Sequence, residues 1–166
     1  MATLSVGGNT VFDGATLQSG VTIASGTTFP AGMIRQINFG DLGSLSTSSD
    51  SAFPNTVGFD VAKLASSDVL VHWQFHYIPR ASPPKYGEAW LTGSNYGSGN
   101  SGKRISHYLG YSTDQIHNRI PVAGFLLDTN PTATPVYGVY IAGQSGSYEI
   151  SSSEGPTGLT LFEILT

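Results

Sequence analysis

Val69, Val71, Trp73, Phe75 and Tyr77 alternate with Leu70, His72, Gln74, His76 and Ile78. That two-residue period predicts a strand over 69–78 with one face in a core and the other mixed. Shorter runs rich in β-branched and aromatic residues predict strands over 33–37, 105–111, 122–127, 136–142, 148–150 and 159–165. Between them 41–50, 79–85, 93–102, 128–135 and 143–158 are dense in Ser, Gly, Asn and Pro and read as loops. Only 60–67 has the pattern of a short helix. Many short strands at spacings of about 10 to 15 residues predict an all-β chain folded as an antiparallel jelly-roll sandwich.

The leading segment follows a different rule. Gly8, Gly14, Gly20, Gly26 and Gly32 recur every six residues, and Val11, Leu17, Ile23 and Phe29 stand three after the first four, each preceded by a Thr. An even period suits extended strands and fits a helix poorly. Each Gly-x-Thr-apolar-x-x unit has one sizeable apolar side chain, so the units need neighbours on which to stack. Four hexads are too few for a single-chain β-helix. The expectation is therefore an extended oligomeric stem, three-stranded, over residues 1–32, whose contacts to sister copies or to a shell are Val11, Leu17, Ile23 and Phe29. Fully stretched, 9–32 would reach at most about 80 Å. The competing reading is a Gly/Ser/Thr arm that orders only on a partner. Residues 33–166 form the sandwich domain.

Composition narrows the chemistry. Of 166 residues only 11% are charged, against roughly 25% in ordinary soluble domains, while Ser, Thr and Gly fill 58 positions. Solubility must come from neutral polar groups, and a helical bundle is excluded. The net charge of −4 argues against attraction to nucleic acid or anionic membranes. With no cysteine, disulfides and thiolate metal sites are unavailable. The first residues lack a basic n-region and an apolar h-region, and no apolar run approaches about 18 residues, so a cleaved secretion signal and membrane insertion are disfavoured.

Candidate catalytic patterns fail on context. His72 and His76 are four apart, the spacing of a helical zinc site, but on a strand four residues span about 13 Å, too far to share one ion. His107 and His117 have no ligand-spaced partner. Gly97 to Arg104 matches Gly-x4-Gly-Lys, with Arg104 where a phosphate loop needs Ser or Thr and an alternating strand where it needs a helix. A hairpin loop explains it better. Ser82-Pro83-Pro84-Lys85 meets Ser-x-x-Lys only formally, and no Gly-x-Ser-x-Gly elbow occurs. The acids form no motif of paired carboxylates. The expectation is a non-enzymatic chain without metal or cofactor. Its aromatics exceed what one sandwich of about 130 residues buries, so some should line a subunit interface or a ligand surface. Tyr86, Trp90 and Tyr96 are the candidates for a glycan-binding loop.

The stretch Gly26-Thr-Thr-Phe-Pro-Ala-Gly-Met-Ile-Arg-Gln-Ile37, with its Pro-Ala-Gly turn into a first strand, resembles the opening of a jelly-roll domain of bacteriophage structural proteins, fibres and decoration proteins among them. Val69 to Phe75 is similar to the central strand of those domains, and Gly158 to Ile164 to their last. The resemblance implies a homotrimer of tumour-necrosis-factor-like sandwiches on the virion surface, made in the host cytoplasm, with no cofactor and no catalytic residues. Within that group a stem followed directly by a head suits a capsid decoration protein or short head fibre, which would bind the major capsid protein or another virion protein through its N-terminal arm. The alternative is a tail-fibre or receptor-binding tip that stacks aromatic loops on host surface glycan.

Overall fold

The computed structural model describes residues 3–6, 9–13, 16–17, 31–47, 50–79, 87–109, 120–143, 148–150 and 157–166. They are all-β. Strands β1 (Thr3–Val6), β2 (Asn9–Asp13) and β3 (Thr16–Leu17) come first, followed by β4 (Ile34–Asp41), β5 (Leu45–Thr47), β6 (Ser51–Ala52), β7 (Val57–Gly58) and β8 (Ser67–Pro79). After these come β9 (Gly87–Gly93), one 3-10 turn at Gly99–Ser101, β10 (Lys103–Leu109), β11 (Ile120–Asp128), β12 (Val136–Gly143), β13 (Tyr148–Ile150) and β14 (Gly158–Leu165).

The first three strands make their own antiparallel sheet in the order β1-β2-β3. The sixfold repeat accounts for this. An interval of six leaves room for one short strand and one connection. Over 3–17 the chain thus doubles back twice, in place of the extended run expected there. Leu17 pairs with Phe12, and Phe12 with Leu4.

The remaining strands form two sheets. One runs β4-β14-β8, with β11 on the far side of β8 and β13-β5 continuing where β14 ends, at Ile78 and Pro79. The other runs β10-β9-β12, with β6 and β7 along the last strand. Among the described residues the strand pairings are antiparallel, and the first and last strands of the unit lie side by side, a jelly-roll-like order. Gly32 N–H donates to Leu165 O at 2.6 Å and Leu165 N–H to Met33 O at 3.0 Å. The leading segment therefore enters the sandwich beside its C-terminal strand.

One core lies between the sheets. Val69, Val71, Trp73, Phe75 and Tyr77 are all buried, as the alternation requires, and they meet Ala89, Leu91, Tyr137, Val139 and Ile141 from the opposite sheet and Leu159 and Leu161 from β14. Phe53 stands edge-on to Phe75, ring centroids 5.5 Å apart. Gly124 pairs with Trp73, and a Cβ there would stand 2.5 Å from the indole. Only a residue without a side chain leaves room for the ring at that position of β11. Gly93 ends β9 at φ +93°, in the left-handed region that glycine tolerates.

Three expectations change. Residues 60–67 are not helical: the backbone groups of 61–64 bond outside the segment, Val61 O to Gln36, Ala62 O to Arg35, Lys63 N–H to Ala133 O and Leu64 N–H to Glu163 of β14. This carboxylate, wholly buried, accepts from Leu64 N–H at 2.7 Å, Ser67 Oγ at 2.6 Å, Gln36 Nε2 at 2.7 Å and Arg35 at 2.8 Å. Arg35 and Gln36 reach on to Ala62 O and Val61 O, and Lys63 Nζ caps Leu64 O and Ser67 O. The segment is a strap fastened by these bonds to the start of β4 and the end of β14. Second, 87–93 is a strand. Third, 41–50 contains β5.

Candidate assembly surface

The outward side chains of the β4-β14-β8-β11 sheet fall into register. Ile37, Phe162, Leu70 and Leu127 form one row across the four strands, and Phe39, Thr160, His72 and Phe125 the next. Ile34 and Ile164 pair on one side of these rows, and Gln74 and Ala123 on the other. Phe125 is 73% exposed, Phe39 61% and Ile37 59%. None of these twelve positions carries a formal charge. The acids on this face sit at its ends, where Asp68 accepts from Asn130 N–H at 2.8 Å and Asp41 from Gly43 N–H at 2.8 Å.

The physical contrast is with the inner face. There the same strands close a complete core, so the apolar side chains outside are surplus to it. Scattered exposed apolar residues are ordinary, but a contiguous sheet face of them marks a surface that something covers. The signal was present in the sequence. In 120–127 every residue is apolar, Pro or Gly, so inward Val122 and Leu126 alternate with outward Phe125 and Leu127. A strand apolar on both sides is the pattern of one packed on both sides.

The opposite sheet shows a different surface. Arg104, Trp90, Tyr140 and Ala52 are register neighbours across β10, β9, β12 and β6. The Arg104 guanidinium lies 4.7 Å from the Trp90 ring centroid and 3.7 Å from Glu88. Burial, then the nearby Asp50, raises the Tyr140 phenol. Trp90 is thus on a strand and not in a loop, with Arg104 over its ring, so a sugar could stack on that side only by displacing the guanidinium. Tyr96 bridges back to Gly93 in the turn after β9. Its phenol is raised by burial and by Asp128. Tyr86 lies outside the described residues, as do Ile23 and Phe29. Val11 and Leu17 fall on β2 and β3, and Val11 adjoins the register shift in the β1-β2 pair.

The other candidates resolve simply. His72 and His76 are on β8, opposite Phe125 and Pro121. Gly97 to Gly102 joins two antiparallel strands and no helix follows. Among the described residues no three His, Asp or Glu side chains are grouped to hold a metal ion. Among the described residues the buried acid besides Glu163 is Asp128, which accepts from Tyr137 Oη at 2.7 Å and from Asn95 Nδ2 at 2.8 Å. Both carboxylates fasten loops to strands, a task that spacing in the sequence could not reveal.

The chain matches no family model and no curated protein. Among solved structures it is similar to the infectious bursal disease virus VP2 subviral particle, at 12% identity and TM-score 0.45, covering 78% of this chain and 33% of that one. Two others are infectious bursal virus derived T=1 particles (13%, TM-score 0.46, 95% and 38%) and infectious bursal disease virus Gx strain (9%, TM-score 0.45, 99% and 42%). The chain therefore spans about two fifths or less of their length, and likeness this distant leaves its function to be argued from its own residues.

Proposed function

We propose that the chain is a non-enzymatic structural protein of a bacteriophage virion, a trimeric capsid decoration protein or short head fibre. The observation that carries this reading is the organisation of the chain: a repeat-built leading segment with its own small sheet, then a jelly-roll-like sandwich that it enters beside the last strand. In this reading residues 1–32 are the anchoring arm. Short strands in such an arm can add to the sheets of shell subunits through main-chain bonds, and three arms acting together multiply a weak attachment. The sandwich is what the arm displays. The resemblance of 26–37, 69–75 and 158–164 to phage jelly-roll domains supports the same assignment.

The test is capsid binding by the full chain and by a variant lacking residues 2–29. Loss of binding with a sandwich that still melts cooperatively is the expected result. Retained binding would remove the arm from this role and favour attachment through the sandwich itself.

A further inference from the structure

We infer that the outer face of the β4-β14-β8-β11 sheet is the surface through which the sandwich binds a second copy of itself. This deepens the reading above, and rests on it, by giving the self-association a location. Size is the first argument. Ile34, Ile37, Phe39, Phe125 and Leu127 are between 45% and 73% exposed, which at side-chain areas of roughly 150–200 Å² leaves on the order of 500 Å² of apolar surface in water. A stable interface buries about 800 Å² per partner, so this patch with the half-buried Leu70, His72, Thr160 and Phe162 between its members is of the right size.

Charge chooses the occupant. The chain carries net −4, so two copies repel one another weakly overall. On this face the two central rows hold no charge, and the acids stand only at the ends with local N–H partners. A partner recognised by its own charge, basic or acidic, would find nothing to pair with in the centre. A second copy presents the same neutral apolar rows, meets no like charge there, and leaves the acids on a hydrated rim, the distribution typical of interfaces. Turned toward a threefold axis, this face of each copy meets the same face of its two neighbours, and the exposed Phe39 and Phe125 are available to both.

The experiment is sedimentation velocity of the full chain at micromolar concentration, for wild type, Phe125→Lys, Phe125→Ala and, as a control on the other sheet, Arg104→Ala. Expected are an oligomeric wild type and control, a folded monomer for Phe125→Lys, and an association at least tenfold weaker for Phe125→Ala. If the Lys variant fails to fold, the Ala variant decides. An oligomer unmoved by either substitution would overturn the assignment of this face while leaving the virion role standing. A monomeric wild type overturns it too, and if Phe125→Lys then loses capsid binding, a shell subunit is the occupant.

Discussion

Ser67 Oγ donates to Glu163 Oε1 at 2.6 Å across 96 residues of chain, tying the start of β8 to the end of β14. With Arg35, Gln36 and the Leu64 N–H on the same carboxylate, Glu163 is the point where strap, edge strand and central strand converge. Replacing it by Ala would leave the Leu64 N–H without its acceptor, and Ser67, Gln36 and Arg35 with only their backbone partners, at about 1–3 kcal/mol. Thermal melting of Glu163→Ala and Glu163→Gln should show both destabilised, Gln less so because it keeps one acceptor oxygen.

The same site sets the acid limit. Burial would raise the Glu163 carboxyl, but the hydrogen bonds from Ser67, Leu64, Gln36 and Arg35 outweigh it and hold the group below its ordinary 4.5. The folded chain therefore binds this proton more weakly than the unfolded chain. The contribution is present at neutral pH and fades as pH falls below about 4.5 and through the folded value. Unfolding free energy measured against pH should lose part of that acid slope in Glu163→Gln.

At the alkaline end two phenols act in the opposite sense. Burial pushes Tyr77 up to about 12, and burial with the bond to Asp128 raises Tyr137 further. Both hold their protons more tightly when folded, so stability is full below pH 10 and declines above it. Tyr137→Phe removes a donor from the buried Asp128 and should cost about 1–3 kcal/mol in denaturant titrations, while weakening the alkaline slope.

Gly124→Ala sets a methyl against the Trp73 indole, 2.5 Å away. The ring must shift within a filled core, for about 1–3 kcal/mol, and Trp fluorescence should report the displacement.

Arg104→Ala uncovers Trp90. The contact is near the surface and is worth about 0.5–1 kcal/mol, so melting should hardly move. If the chain were a receptor-binding tip, Trp90→Ala or Tyr96→Ala would impair host attachment without changing particle composition, whereas the decoration role predicts unchanged attachment.

Legibility in the sequence followed side-chain size. The strand 69–78 was plain because its inward residues are large, and all five are buried. β9 was hidden because its inward residues, Gly87, Ala89 and Leu91, are mostly small while the outward ones include Glu88 and Trp90, so the eye takes the wrong side for the core. The 60–67 segment has helical spacing at Val61 and Leu64, but its backbone bonds go to groups distant in sequence, an acid about a hundred residues away among them. Faces were equally hard to assign. Nothing local says that Phe39 and Phe125 belong to one surface until β14 and β8 are placed between them.

The bonds of Gly32 and Met33 to Leu165 bring both ends of the sandwich to one corner. A short linker from Thr166 to Gly32 would close the backbone with little distortion, so circularly permuted forms opened at a surface turn should fold. By the same geometry, a segment fused after Thr166 would emerge beside Gly32 and Met33.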